Sequence, residues 1–301
     1  MEIGISLPTT GRDASPDVIL RVAREAEESG FASVWVSDRL LRSAAPPGTT
    51  GQERPAPAPG MGFRSFDPIE TLSYVAARTE RIKLGTSAIG ALFQPPVILA
   101  KRLATLDQFS GGRVIAGLGQ GWNPDEFAAA GVPMKRRGAG FEEYVSALRS
   151  VWGPDPVRFE GRFYRIAESE IGPKPLQRGG IPLILGASAP VSAERAGRIA
   201  DGINLIAFSF EEVERLATKF LGAAKAAGRD AADLLVVLRS NNPFGGAELP
   251  SSRPLLSGSV EQALGDMERL EALGVNHVFV PALSPGARLE GRFEVLRRLL
   301  G

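Results

Sequence analysis

Two segments rich in small residues are the first candidates for chemistry in this sequence. The first, Gly117-Leu118-Gly119-Gln120-Gly121-Trp122, places three glycines at alternate positions. Residues without side chains let a flat ring lie close to the backbone, so this segment could border an aromatic cofactor. The second, Gly186-Ala187-Ser188-Ala189-Pro190, leads into a helical pattern. Its backbone N–H groups and the positive end of the helix dipole would suit an anion such as a phosphate.

Both segments also resemble other known motifs, but each differs from the motif at one required position. A dinucleotide-binding fingerprint needs a third glycine where this chain has Trp122. A hydrolase nucleophile elbow needs glycine where it has Pro190. Ser188, Asp201 and His277 follow hydrolase order, but His277 lies inside an apolar run and is expected to be a strand residue. A tight turn without a ligand remains an alternative for the first segment.

Polar and small residues follow two further apolar runs. Asp38 and Arg39 come after residues 31–36, and Ser87 and Ala88 follow residues 82–86. If these runs are parallel strands, their carboxyl ends share one rim, where α/β folds hold their active sites. Asp38 and Arg39 are our catalytic candidates. Asp38 could instead fix the loop, and Arg39, a guanidinium that stays protonated, could bind an anion or form a surface salt bridge.

The stretch 81–122 contains the elements that would position these residues. It reads as a strand, a helix and a second strand. Pro95 suits the start of a helix, and apolar residues recur at helical spacing over 99–109. Gly111 supplies the left-handed geometry that a helix C-terminus needs. A βαβ unit of this kind forces parallel strands with a right-handed crossover.

The same alternation of short apolar runs and helical patterns fills the rest of the chain. Eight strands, each followed by a helical pattern, predict a single (β/α)8 TIM-barrel domain over residues 1–301. Residues 153–180 break the rhythm and predict a small insertion, with a hairpin of 157–160 and 162–165. A loop at 42–66, rich in proline and glycine, is expected to cover the rim as a lid or substrate wall. The predicted strands are 3–7, 31–36, 82–86, 114–116, 182–185, 203–207, 234–238 and 275–280.

The composition excludes several classes of function. The chain has no cysteine, which excludes disulfides, thiolate metal sites and cysteine nucleophiles. His277 is the only histidine, so a multi-histidine metal site is impossible. The net charge of +1 lacks the basic excess that is typical of proteins that bind nucleic acid or membrane surfaces. We see no signal peptide and no apolar run of about 20 residues, and we expect a cytoplasmic protein.

Five motifs follow one another in the first half of the chain at regular spacing. They are Leu84-Gly85-Thr86, Leu99-Ala100-Lys101, Ala104-Thr105-Leu106-Asp107, Ser110-Gly111-Gly112-Arg113 and Gly119-Gln120-Gly121-Trp122. With these motifs the sequence resembles the bacterial luciferase-like monooxygenase superfamily. The resemblance extends over nearly the whole chain.

The resemblance implies a flavin-type oxidoreductase whose cofactor lies at the carboxyl rim of a barrel. In relatives that use a deazaflavin, the bond corresponding to Ser87–Ala88 is often a cis peptide under the ring. Many members carry a histidine where this chain has Arg39, so a mechanism through that histidine is not expected here. The cofactor-binding residues that the resemblance implies are Ser87, Ala88, Gly119, Gln120, Gly121, Trp122, Gly186, Ala187, Ser188 and Ala189.

The resemblance leaves more than one function open. We favour hydride transfer with the deazaflavin coenzyme F-420 (written F420 in the names of enzymes). The alternative is an FMN-dependent monooxygenase that uses reduced flavin and O2, and the remote ones are a barrel hydrolase or a non-catalytic flavin-binding protein. As partners we expect a small-molecule substrate and a second copy in a homodimer, and neither nucleic acid nor a membrane.

Overall fold

The strands form a closed parallel barrel in the computed structural model of the protein, which describes residues 1–11, 14–42, 64–242, 245–283 and 289–300. The predicted lid at 42–66 lies almost entirely outside these residues. The described strands are β1 (Glu2–Ser6), β2 (Ser33–Val36), β3 (Lys83–Thr86), β4 (Ile89–Gly90), β5 (Val114–Gly119), β6 (Val157–Glu160), β7 (Arg165–Ser169), β8 (Leu183–Ala187), β9 (Gly202–Leu205), β10 (Leu235–Arg239) and β11 (His277–Pro281).

The barrel order is β1, β2, β3, β5, β8, β9, β10 and β11, with β11 pairing back to β1. All these pairings are parallel, so the carboxyl ends of the strands share one rim. Each of the eight predicted strands overlaps one of these strands, and the predicted (β/α)8 barrel is confirmed. The extent of the domain over 1–301 stays a prediction.

Helices cover the outside of the barrel, and several begin at proline because its fixed φ and missing N–H suit the first turn. Ser15 and Asp67 cap two of them by accepting from the amides of Val18 and Ile69. Within the described residues, no helix combines the length and apolar character that a bilayer crossing needs. The described helices are α1 (Pro16–Glu28), α2 (Pro68–Ala76), α3 (Pro96–Ser110), α4 (Pro124–Ala129), α5 (Ala139–Val151), α6 (Pro190–Ile199), α7 (Phe210–Ala226), α8 (Val260–Ala272) and α9 (Arg292–Arg297).

The interior of the barrel is filled by its own cluster of buried side chains, separate from the larger core between strands and helices. Trp35 stacks on Phe279 with ring centroids 4.6 Å apart, and Ile115, Ile184 and Val237 complete the cluster. Gly85 makes room for Trp35, because a Cβ there would overlap the indole ring. The barrel is therefore packed below its carboxyl rim.

The seam between β3 and β5 is joined by a side chain. The backbone pairing ends at Gly85, and Thr86 continues it: its hydroxyl donates to the carbonyl of Gly117 at 2.9 Å and accepts from the Gly117 amide at 2.8 Å. A Cβ on Gly117 would overlap the Thr86 carbonyl oxygen. Glycine at this position is therefore a requirement of the barrel itself.

Two charged motif residues also serve the scaffold. Arg113 donates all five guanidinium N–H groups to oxygens of Ser110, Thr79, Ile82 and Ala76, at distances of 2.6 to 3.1 Å. These hydrogen bonds join the end of α2 to the residues that directly precede β3 and β5. The fully buried carboxylate of Asp107 accepts three hydrogen bonds from the two residues at 176–177, at 2.7 to 3.1 Å, and anchors the end of the insertion.

His277 is a buried strand residue at the amino end of the barrel, as predicted. Its Nε2 lies 2.7 Å from the hydroxyl of Ser33, and its Nδ1 lies 3.1 Å from the carboxylate of Glu2. Lys83 also donates to Glu2 at 2.6 Å. The close contact with His277, reinforced by Lys83, lowers the pKa of Glu2 to about 2. Ser188 lies at the opposite end of the barrel, so the hydrolase triad is excluded.

The insertion contains the predicted hairpin, but its second strand begins three residues later than predicted. The strand begins at Arg165 rather than residue 162. The reason is Glu143, whose carboxylate accepts hydrogen bonds from the amides of Arg162, Phe163 and Tyr164 at 2.6 to 2.9 Å. These amides therefore form a turn over α5 instead of pairing with β6.

Candidate active site

A cavity of about 900 Å3 opens at the carboxyl rim of the barrel. Segments that follow β2, β3, β5, β8, β9 and β10 line it. Among the site residues predicted from sequence, those that line the cavity are Asp38, Arg39, Ser87, Ala88, Gly119, Gln120, Gly121, Trp122, Gly186 and Ser188. Ala187 and Ala189 are the two that do not.

Small residues from three neighbouring strand ends make a flat patch in the wall. Ala88 follows β3, Gly119 ends β5, and Gly186 lies in β8. A Cβ on Gly119 would lie 3.6 Å from that of Ala88, and one on Gly186 would lie 4.0 Å from it. The patch would be filled by any larger side chain at these positions. It has the shape that a planar ring needs for close approach.

Beside the patch, Ser87 is fixed from two sides. Its hydroxyl donates to Oδ1 of Asn204 at 2.7 Å, and its carbonyl oxygen accepts from Nη1 of Arg239 at 2.7 Å. The Ser87–Ala88 peptide is cis. Asn204 is buried and lines the cavity, and its Nδ2 has no hydrogen-bond partner among the described residues. This buried amide keeps an unused donor beside the cavity.

Two carboxylates, the half-buried Asp38 and the buried Glu126, hold the loop after β2 against the rim. Asp38 accepts from the amide of Gly90 at 2.9 Å. Glu126, in α4, accepts from the amides of Leu40 and Leu41 at 3.0 and 3.4 Å. Both acids line the cavity, and burial raises the pKa of each. The hydrogen bond of Asp38 joins the loop after β2 to β4, and its catalytic role stays a prediction.

Arg39 and Trp122 form one wall of the cavity together. The guanidinium carbon of Arg39 lies 4.7 Å from the centroid of the Trp122 ring, which is a cation–π contact. Its Nη1 lies 3.8 Å from Oε1 of Glu126. Arg39 thus lines the cavity and pairs there with a buried carboxylate, with its own side chain 24% exposed.

The middle of the glycine segment shapes the cavity from behind. Gln120 accepts from the amide of Gly138 and so ties the segment to the start of α5. Gly121 has a φ of +74°, and a Cβ there would press against Phe93 and Phe127. These contacts require glycine at 121 for packing, whichever ligand binds.

The second small-residue segment places the N-terminus of α6 beside the cavity. Ser188 and Ser192 line it. The hydroxyl of Ser192 accepts from the amide of Ala189 and donates to its carbonyl, so Ala189 contributes the cap of the helix. Ala187 is buried behind the strand, on the face opposite to Gly186. The first turn of α6 leaves an electropositive helix end at the cavity wall.

Sequence reasoning missed several residues of the site, among them Asn204, Arg239 and Glu126. Asn204 and Arg239 lie at the carboxyl ends of β9 and β10, where the rule that barrel enzymes place functional residues at strand ends would have found them. Glu126 lies inside a short helix and had no such signal. The described residues contain no group of three or more His, Cys, Asp or Glu side chains that could hold a metal ion.

Comparison with known families decides the assignment. Residues 1–241 match the family described as luciferase-like monooxygenase. The chain belongs to this family. The matched region contains all five motifs quoted above.

One curated relative of this luciferase-like protein is F420-dependent glucose-6-phosphate dehydrogenase of Amycolatopsis mediterranei. It is 33% identical over 225 residues, which are 73% of this chain and 62% of the relative. Mycobacterial relatives of uncharacterized function are 37% identical over 193 residues and are covered over 66% of their length. The chain thus spans slightly less than two thirds of the length of these relatives.

Solved structures share the whole fold. A coenzyme F420 dependent tetrahydromethanopterin reductase from Methanopyrus kandleri superposes with a TM-score of 0.79, at 20% identity, covering 98% of this chain and 97% of the reductase. A monooxygenase from Streptomyces bottropensis gives a TM-score of 0.77 at 26% identity, covering 99% and 97%. The luciferase-like barrel is therefore shared by enzymes named for the deazaflavin and by enzymes named as monooxygenases.

Proposed function

We propose that this protein is a coenzyme F-420-dependent oxidoreductase that transfers a hydride to or from a small organic substrate. The observation that carries the proposal is the flat patch of Ala88, Gly119 and Gly186 at the carboxyl rim, with the donor Nδ2 of Asn204 beside it. The patch fits a planar ring, and the buried amide fits a polar atom at the edge of such a ring.

The N-terminus of α6 would hold the phosphate of the cofactor. Ser188 lies at the cavity next to Gly186, and the helix end supplies backbone N–H groups and a partial positive charge. This arrangement would fix one end of the cofactor while the strand ends of β3, β5 and β8 support its ring. The predicted binding residues Ser87, Gln120, Gly121 and Trp122 would then border the ring or its neighbour.

When bound, the deazaflavin supplies the two-electron redox chemistry as a hydride acceptor or donor. The residues of the chain orient the reactants, exclude water and exchange the proton that leaves or joins the substrate. Asp38 and Glu126 are the titratable groups placed for that proton, because both line the cavity and burial raises the pKa of each. Arg39 cannot take this role, since a guanidinium stays protonated.

The choice of coenzyme F-420 over FMN is supported by relatives, among them a dehydrogenase that is 33% identical and named for that coenzyme. We also propose that the protein acts as a homodimer on a small-molecule substrate. To test the cofactor, the purified protein is titrated with coenzyme F-420 and with FMN while the cofactor fluorescence is followed. Micromolar binding of FMN without binding of the deazaflavin would refute the choice.

The second candidate is an FMN-dependent monooxygenase that uses reduced flavin and O2. It is favoured by the structural likeness to a monooxygenase that is 26% identical over nearly the whole chain. The same titration separates the two, and a monooxygenase would in addition consume oxygen when supplied with reduced FMN and substrate. Coenzyme F-420 reduction without oxygen consumption would exclude it.

A further inference from the structure

We infer that the substrate carries an oxyanion, a carboxylate or a phosphate, and that Arg39 on the face of Trp122 binds it. This inference rests on the proposed function, because it takes the rest of the cavity to hold the cofactor. It names the class of substrate, which the fold and the family leave open.

The geometry of Arg39 suits an oxyanion. Its guanidinium lies over the Trp122 ring at 4.7 Å, so the ring covers one face of the guanidinium and holds its plane. The N–H donors of a guanidinium lie in that plane, at its edges, and there are five of them. One edge approaches Glu126 at 3.8 Å. A planar fork held in this way matches the two oxygens of a carboxylate or phosphate.

The charges along the cavity favour an anion as well. Arg39, Arg137 and Arg239 line it, against two acids, Asp38 and Glu126. Both acids direct carboxylate oxygens to backbone amides of the rim loops, so part of their charge is already compensated. The lining side chains in the described part of the chain therefore carry one excess positive charge, which favours an anionic ligand.

The oxyanion at Arg39 is distinct from the phosphate proposed for the cofactor. Arg39 follows β2, whereas the N-terminus of α6 follows β8, and β3 and β5 stand between them in the barrel. The flat patch for the ring spans the ends of β3, β5 and β8. Two anion sites on either side of a ring site accommodate one cofactor phosphate and one charged substrate group.

Apolar side chains indicate the rest of the substrate. Phe208 and Ile206 line the cavity, and they are 70% and 46% exposed, which is unusual for large apolar residues. They follow β9, across the barrel from Arg39. A molecule with an oxyanion at one end and an apolar body at the other would cover them and pair with Arg39 at the same time.

The test uses benzoate and phenyl phosphate as charged probes and benzyl alcohol as the neutral probe. Each is titrated by calorimetry into cofactor-saturated protein, for the native chain and for Arg39→Gln, Arg39→Lys and Arg136→Gln. Arg136 is the matched control, because it lies over the Phe163 ring at 5.0 Å but is not among the residues that line the cavity. A melting curve of each variant confirms that it folds, and Arg39→Lys retains the charge should Arg39→Gln fail to fold.

We expect benzoate or phenyl phosphate to bind at least tenfold more tightly than benzyl alcohol. Arg39→Gln should lose tenfold or more of that affinity, Arg39→Lys threefold or more, and Arg136→Gln less than twofold. The tighter of the two charged probes identifies the oxyanion. The inference would be overturned if the native protein bound benzyl alcohol as tightly as the two anions. It would also be overturned if Arg39→Gln bound both anions as tightly as the native protein does.

Cofactor titrations separate the remaining outcomes. A second probe is the deazaflavin with its ribityl chain but without the phosphate-bearing tail. If Arg39→Gln weakens binding of coenzyme F-420 but not of this probe, Arg39 binds the anionic tail of the cofactor and the inference fails. If the native protein binds neither coenzyme F-420 nor FMN, the proposed function fails instead. In that case the probe titrations on the protein alone still decide whether Arg39 binds an oxyanion.

Discussion

Replacing Gly186 by alanine would test the ring site without disturbing the barrel. The added Cβ would lie 3.8 Å from the carbonyl oxygen of Leu118 and 4.0 Å from the Cβ of Ala88, which are ordinary van der Waals distances. The backbone of Gly186 is not in the left-handed region. Alanine reduces the conformational freedom of the unfolded chain, so we expect the free energy of unfolding to rise by about 0.4–1 kcal/mol.

The same methyl group would occupy the flat patch. A ring resting on Ala88, Gly119 and Gly186 would have to move outward, and a gap of even 0.5–1 Å loses roughly a quarter to a half of the dispersion energy of each contact. Summed over the ring, we expect cofactor affinity to fall at least tenfold, or about 1.4 kcal/mol. Gly119→Ala should behave in the same way, since its Cβ would lie 3.6 Å from that of Ala88.

Two other glycines provide the controls. Gly222, in α7, has nothing within 4 Å of an added Cβ, so Gly222→Ala should gain similar stability without any effect on binding. Gly117→Ala should fail to fold, because its Cβ would overlap the carbonyl oxygen of Thr86. The assay is fluorescence quenching for the dissociation constant, with calorimetry for the melting temperature. Native affinity in Gly186→Ala, with a normal melting temperature, would refute a ring at this patch.

Three further predictions concern single residues. Ser188→Asp places a negative charge at the proposed phosphate site and should weaken cofactor binding tenfold or more, or about 1.4 kcal/mol, in the same titration; unchanged affinity would remove the α6 end from the site. His277→Gln should leave turnover within about tenfold, because His277 lies at the far end of the barrel, and a loss of 10²-fold or more in the folded variant would make it a general base after all. The pKa of Glu2, lowered from 4.5 to about 2, means that this carboxylate stabilises the fold above about pH 4.5 and that the gain is lost as the pH falls towards 2. The shift in pKa corresponds to at most about 3 kcal/mol of stability. Because the Glu2 side chain is 43% exposed, screening by solvent reduces this contribution to about 1 kcal/mol. Glu2→Gln should remove this part of the pH dependence of stability, measured by denaturant unfolding at several pH values.

Much of the fold could be predicted because its signals are local. Pro96 begins α3 and Gly111 ends it with a φ of +71°, as the proline and glycine signals indicated. The eight barrel strands are short apolar runs between helical patterns, and their order follows from the right-handed crossover. The hairpin in the insertion shows the limit, since its register is decided by Glu143, which comes from a different element.

The candidate site could be predicted only where it depends on backbone shape. Gly119, Gly186 and Ala88 were recognisable because they are small residues at the ends of predicted strands, and all three line the cavity. Glu126 was not recognisable, since its carboxylate acts on Leu40 and Leu41, which are more than eighty positions away in the chain. The orientation of the Asn204 amide likewise depends on a distant residue, because the hydroxyl of Ser87 donates to its oxygen. The loop at 42–66 stays a prediction, because it falls almost entirely outside the described residues.

Most of the sequence motifs that identify the family stabilise the barrel and do not reach the cavity. Thr86 joins the seam between β3 and β5, Asp107 anchors the insertion, and Arg113 uses every donor on neighbouring oxygens. Only the segment ending at Trp122 reaches the cavity. Evolution can therefore keep the contacts of the barrel unchanged while the residues that line the cavity are replaced. An exchange of the bound ring would then change the contacts of Gly119-Gln120-Gly121-Trp122 and leave every contact of the seam as it is.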